Sequence, residues 1–193
     1  MNRPTRTKDM IRTEALRLFA AKGYEAVSMR DIAGAVGVQP GAIYNHFPNK
    51  QQMLFALLSE HMERLAAAWA EEAAGLPADP IARLEAFARF HIRFHIERPD
   101  EVFLSYMELR ALEPELFGQI ESQRRAYEGA LKRILEEGAA TGAFTVDDPH
   151  VTAMALLAML TGVNTWYRSG GRLSKTKIEN YYAALVLRAV QGV

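Results

Sequence analysis

SMRDIAGAVGVQPGAIYNHFPNK, residues 28–50, holds two short helices, a tight turn and the start of a longer helix. Ser28 is a good N-cap, and Asp31 three residues on approximates a capping box. Met29, Ile32, Ala33 and Val36 give the first helix an apolar face. Gly37 ends it, because glycine takes the left-handed cap conformation at no steric cost. Val38 pins the turn, and Pro40 falls in the first turn of the second helix, where its missing N–H is harmless. That helix, about 39–45, turns Ala42, Ile43 and Phe47 inward. Gln39, Gly41, Tyr44, Asn45 and His46 are left outward. Asn49 can cap the next helix, with Gln52 three residues on.

The pattern is a helix-turn-helix, and its outward residues suit a DNA duplex. Gln39 and Asn45 can hydrogen-bond base edges or phosphates, Tyr44 offers a hydroxyl on a rigid ring, Gly41 lets the backbone approach a phosphate closely, and Pro40 and His46 are further candidate DNA contacts. Ser28 and Arg30 can hold phosphates, and Lys50 is a cation for the backbone. An ordinary packed helix pair is the alternative for a generic motif of this kind.

D-I-A-x-x-x-G-V followed by G-x-I-Y-x-H-F-x-x-K resembles the DNA-binding motif of the tetracycline-repressor (TetR) family of bacterial transcriptional regulators. The likeness extends upstream through Ala15, Leu18, Phe19 and Gly23-Tyr24, and covers about the first 60 residues. It implies an all-α fold: an N-terminal three-helix domain, then a helical ligand-binding and dimerisation domain.

The whole chain has 193 residues and a net charge of zero that hides an asymmetry. Residues 1–50 hold eight Lys/Arg against four acids, so the remainder carries the opposite surplus of four. A basic end beside an acidic body suggests that one end meets a polyanion. With no cysteine, disulfides, thiolate zinc sites and a cysteine nucleophile are excluded. MNRPTRTKDMIR has no apolar core of a signal peptide, and the uncharged run 151–167 is shorter than the ~20 apolar residues a membrane span needs. A cytoplasmic protein without a membrane partner is expected.

Residues 1–4 are expected to fray, with a first helix from about Thr7 to Lys22 carrying Ile11, Ala15, Leu18 and Phe19 inward. A long helix, about 51–74, carries Met53, Leu54, Leu57, Leu58, Met62 and Leu65. It links a DNA-binding domain at 1–50 (motif 28–47) to a body at 51–193. Asp79-Pro80, Pro99, Pro114 and Asp148-Pro149 open further helices. The last begins at Ser174 and is expected to bury Ile178, Tyr181, Tyr182, Leu185, Val186 and Val190. No alternating stretch reads as a strand, so about nine helices are expected. The helices at 150–168 and 174–191 have more apolar surface than one small body covers. A two-fold homodimer through them is expected, with both being simply core as the alternative.

His91 and His95 stand four apart, a spacing that can place two imidazoles on one metal. The H-E-x-x-H glutamate is missing and no third ligand is signalled. Core or pocket-lining histidines are the expectation, without metal or cofactor; a metal-dependent enzyme is the distant alternative. No G-x-S-x-G, phosphate loop or dinucleotide fingerprint occurs. Phe87, Phe90, Phe94, Tyr106 and Trp166 are aromatic candidates for an apolar effector pocket, with core packing as the alternative for each. The segment 166–174, WYRSGGRLS, resembles W-Y-R-x-G-G-x-L-S in TetR-family regulators of fatty-acid and steroid breakdown, some of which respond to acyl-CoA thioesters. Proline is usual there where Ser169 stands. The resemblance implies an acyl chain among the aromatics and CoA phosphates at Arg168 or Arg172. A solvated loop, and a sensor of varied hydrophobic drugs, are the alternatives.

Overall fold

The computed structural model describes residues 3–191, and every regular element in that range is helical. The elements are α1 (Arg3–Lys22), α2 (Met29–Val36), α3 (Pro40–Tyr44), α4 (Lys50–Ala74), α5 (Pro80–Ile96), α6 (Pro99–Phe103), α7 (Pro114–Ala140), α8 (Pro149–Thr161), α9 (Val163–Trp166) and α10 (Lys175–Val190). A π-helical turn, Leu104–Glu108, and a 3-10 turn, Leu109–Ala111, follow α6.

Two compact units share the chain. One comprises Met1–Glu63 with Asp100–Gln123, the other Arg64–Pro99 with Arg124–Val193. Helices α4 and α7 run continuously from one into the other.

In the first unit, Ile11, Ala15 and Phe19 of α1 and Ile32 of α2 are fully or almost fully buried. Ile43, Phe47, Met53, Leu54 and Leu58 join them. Such burial is worth roughly 1.5–3 kcal/mol per large side chain. The α1 helix begins at Arg3, earlier than expected. Pro4 lies within its first turn, where the missing N–H is tolerated. The expectation of fraying at residues 1 and 2 lies outside the described residues.

Helix α5 is the centre of the second unit and packs on α8, α9 and α10. Asp79 caps it by accepting from Ile81 N–H and Ala82 N–H, and Asp148 caps α8 in the same manner. The apolar run 151–167 breaks into α8 and α9 at Gly162. Asn164 and Thr165 side chains donate to the Thr161 and Gly162 carbonyls, competing with helix continuation. Tyr181, expected inside, is 62% exposed, whereas Ile178, Ala183, Val186 and Val190 of α10 are buried.

Candidate nucleic-acid interface and body site

Ser28 Oγ accepts from Asp31 N–H, and Asp31 Oδ2 accepts from Ser28 N–H at 2.8 Å and from its hydroxyl. Both halves of the capping box are thus made. The Ser28 hydroxyl and backbone bonds hold the exposed Asp31 carboxyl below its usual pKa of 3.8. Gly37 closes α2 at φ +75°, a left-handed conformation that strains any side chain with a Cβ. Gln39 precedes α3 and makes no side-chain capping bond, so its amide stays available. Pro40, Gly41, Tyr44 and Asn45 are exposed on or beside α3, with Tyr44 at 51%. Arg30 is exposed on α2. His46 is half-buried and lines an open groove of about 530 Å³ with Lys8, Arg12, Phe47 and Gln52. Gln39, Tyr44 and Asn45 are thus exposed at the two ends of α3, and Gln39 is not engaged in a side-chain capping bond.

Lys50 has a structural role that its position at a helix start does not advertise. Its Nζ donates to the Tyr24 carbonyl at 2.9 Å and the Val27 carbonyl at 3.1 Å, and sits 4.0 Å from the Tyr24 ring centroid. The Tyr24 hydroxyl is pushed up to about 12, by burial first and then by Glu25 and Glu113. An ammonium has three donors, so one remains for a phosphate. Lys50→Met is expected to weaken DNA binding in general and to lower the salt slope by about 1. Weaker binding with an unchanged slope in a salt titration would assign Lys50 to the connector alone.

In the second unit, α5 brings Phe87, Phe90, His91, Phe94 and His95 to one buried face. The Phe87 ring meets Trp69 edge-on at 4.8 Å and lies 5.4 Å from Tyr127. His91 uses both ring nitrogens: Nδ1 is 3.1 Å from the Tyr127 hydroxyl and Nε2 is 2.9 Å from Thr161 Oγ1. His95 Nδ1 donates to the His91 carbonyl, and the two rings stack at 3.8 Å. This geometry binds each imidazole into the core by hydrogen bonds.

Phe90 and Phe94 also line an open cleft of about 370 Å³ with Glu72, Arg93, Glu97 and Arg98. Arg93 pairs with Glu72 at 2.6 Å and Glu179 at 3.6 Å. Lys175 donates to Glu97 at 2.5 Å, and that bond chiefly holds the Glu97 carboxyl below its usual range. Trp166 is 48% exposed, with its ring centroid 6.4 Å from that of Tyr182. Arg168 is exposed and donates to the Tyr167 and Thr165 carbonyls; Arg172 is exposed. Tyr106 lies on the π-helical turn of the other unit, 49% exposed. Among the described residues no helix is long and apolar enough to cross a membrane.

Residues 11–57 match the family described as bacterial regulatory proteins, tetR family, and residues 77–190 match the tetracyclin repressor-like C-terminal domain. The HTH-type transcriptional repressor KstR2 of Mycolicibacterium smegmatis is 27% identical, over 98% of this chain and 93% of the relative. A solved tetR-family bacterial regulatory protein from Rhodococcus RHA1 is 30% identical, with a TM-score of 0.90 and full coverage of both chains. AibR, solved in complex with isovaleryl coenzyme A and operator DNA, is 27% identical with a TM-score of 0.85, over 93% of this chain and 97% of that one.

Proposed function

Because the chain belongs to the tetR family of bacterial regulatory proteins, we propose that it is a repressor that binds a palindromic operator as a homodimer and is released by a small hydrophobic effector. It is a transcriptional regulator and not an enzyme, as are its relatives. The observation that carries the reading is a complete helix-turn-helix, its capping box and left-handed Gly37 cap both formed, with Gln39, Tyr44 and Asn45 exposed at the ends of α3 in a stretch, residues 1–50, that carries four surplus positive charges. Residues 1–50 supply the operator contacts. Gln39, Tyr44, Asn45 and His46 meet base edges, Pro40-Gly41 brings backbone close, and Ser28, Arg30 and Lys50 hold phosphates. Residues 51–193 hold the effector and the partner subunit, and the protein works in the cytoplasm.

The homodimer is supported by large apolar side chains left bare on α8 and α10, with Val151 60%, Met154 42% and Tyr181 62% exposed. A two-fold interface through these helices would cover those side chains and place two α3 helices about one turn of B-DNA apart, ~34–36 Å.

The effector is an acyl-CoA thioester in this reading. The likeness to AibR, which was solved with isovaleryl coenzyme A, and the segment 166–174 support it. Phe87, Phe90, Phe94, Tyr106 and Trp166 are the proposed apolar contacts, and Arg168 and Arg172 the partners of CoA phosphates. The experiment is thermal stability against acyl-CoA thioesters, free fatty acids and neutral drugs. A ligand at 100 times its Kd should add about 2.7 kcal/mol, or roughly 5–10 °C in Tm. Stabilisation by thioesters alone supports the reading. Stabilisation by drugs alone, unaffected by Arg168→Ala, replaces it with a multidrug sensor.

Release by effector carries a thermodynamic obligation. Operator DNA must weaken effector binding by the same factor by which effector weakens operator binding. Calorimetric titration of the effector with and without operator should show that factor, and equal affinities would sink release.

A further inference from the structure

The connector between α1 and α2, Gly23–Val27, is held from both sides. Gly23 turns out of α1 at φ +83°. Tyr24 N–H then donates to Glu108 Oε1 at 3.1 Å, across 84 residues of sequence. From the other side, Lys50 takes the Tyr24 and Val27 carbonyls. The next residue is Ser28, whose cap opens the helix-turn-helix.

Glu108 is carried by the π-helical turn Leu104–Glu108. Such a turn inserts an extra residue, and a regular α-helix without it would place Glu108 about 100° elsewhere around the axis. The segment after it is tied to α4 as well. Gln51 Nε2 donates to the Ala111 carbonyl at 2.7 Å, and Gln51 Oε1 accepts from Glu113 N–H at 3.0 Å. One stretch, 108–113, thus grips both the entrance to α2 and the first turn of α4.

The geometry points to Glu108 as a positioning residue for operator binding: through Tyr24 N–H it sets the aim of the helix-turn-helix without touching DNA. The inference rests on the operator-binding reading above. A carboxylate acceptor makes a charge-assisted bond, stronger than a neutral one, so its loss should loosen the connector. Electrostatics alone gives the opposite sign. Removing an acid from a DNA-binding unit reduces repulsion and should tighten binding.

The test uses the full chain and a palindromic duplex selected with the wild-type protein from a random-sequence library. Glu108→Ala is expected to bind that duplex about tenfold more weakly, with non-specific binding no weaker than that of the wild type and the salt slope unchanged. Glu108→Gln, which keeps an oxygen acceptor for Tyr24 N–H, should regain most of the loss. Equal or tighter specific binding by Glu108→Ala overturns the assignment, as does Glu108→Gln binding no better than Glu108→Ala. Should the alanine variant not fold, amide hydrogen exchange at Tyr24 in the wild-type chain decides. Protection matching the middle of α1 supports the bond, and exchange at the rate of an open amide overturns it. If the wild-type chain enriches no duplex at all, the operator-binding reading fails first, and the role of Glu108 with it.

Discussion

Met154→Arg is expected to give a folded monomer that has lost most of its operator affinity. Met154 is 42% exposed in the single chain, so an arginine there can reach water and leave α8 undisturbed. In the proposed two-fold dimer through α8 and α10 the same position is covered. Both copies carry the change, because an isologous interface repeats every substitution. Two guanidinium groups would then be desolvated against apolar neighbours such as Val151, at several kcal/mol each. The monomer keeps one recognition helix and about half of the specific contacts. Specific protein–DNA complexes exceed non-specific ones by about 4–10 kcal/mol, so losing half costs roughly 2–5 kcal/mol, or 30- to 4,000-fold in Kd. Sedimentation equilibrium and a binding titration check the two halves of the prediction. A Met154→Arg protein that sediments as a dimer would remove Met154 from the interface. A monomer with wild-type affinity would remove the need for two-fold symmetry at the operator.

The helix-turn-helix was legible because its determinants are local. Ser28 and Asp31 form their box within one turn, and Gly37 takes the left-handed cap. Pro40 sits at the start of α3, and Asn49 Oδ1 accepts from Gln52 N–H. Each is a short-range choice that one stretch of sequence contains. The expectations that needed revision depend on longer-range competition. The run 151–167 reads as one helix by hydrophobicity, yet Asn164 and Thr165 take its carbonyls, and Thr161 Oγ1 meets His91 across 70 residues. Tyr181 and Tyr182 are neighbours on α10, and only the packing partner decides which ring turns inward; Tyr182 has Trp166. Lys50 reads from the sequence as a cation for a DNA backbone, and nothing in the sequence announces it as the clamp of the Tyr24–Val27 connector, since both acceptors are backbone carbonyls more than twenty residues away. Glu108 had no local signature, because π-helical turns have no cap or breaker residue that announces them.

Phe87→Ala should destabilise the protein by about 3–5 kcal/mol, the largest loss expected from a single truncation among the proposed effector contacts. The ring is fully buried and fixed by Trp69, Tyr127 and His91 at centroid distances of 4.8, 5.4 and 6.1 Å. Those neighbours come from three helices, α4, α7 and α5 itself, so no single movement can close the space left behind. The cost of a cavity grows with the volume that cannot collapse. The polar side of the same cluster resists collapse further. His91 is held by Tyr127 and Thr161, and shifting its ring would break bonds to two buried hydroxyl groups. A melting-temperature drop of roughly 6–20 °C is the expected reading, and an unchanged Tm would mean that the ring is not part of the core. Phe90, whose ring also borders the open cleft beside Arg93, has water nearby to fill a truncation and should lose less. The same variant separates the two roles assigned to Phe87. As a wall of the effector pocket, its removal should shrink the Tm gain that a stabilising thioester confers on the wild-type chain. An undiminished gain, measured against the lower baseline, would leave Phe87 to the core alone and move the acyl site toward Phe90, Phe94 and Trp166.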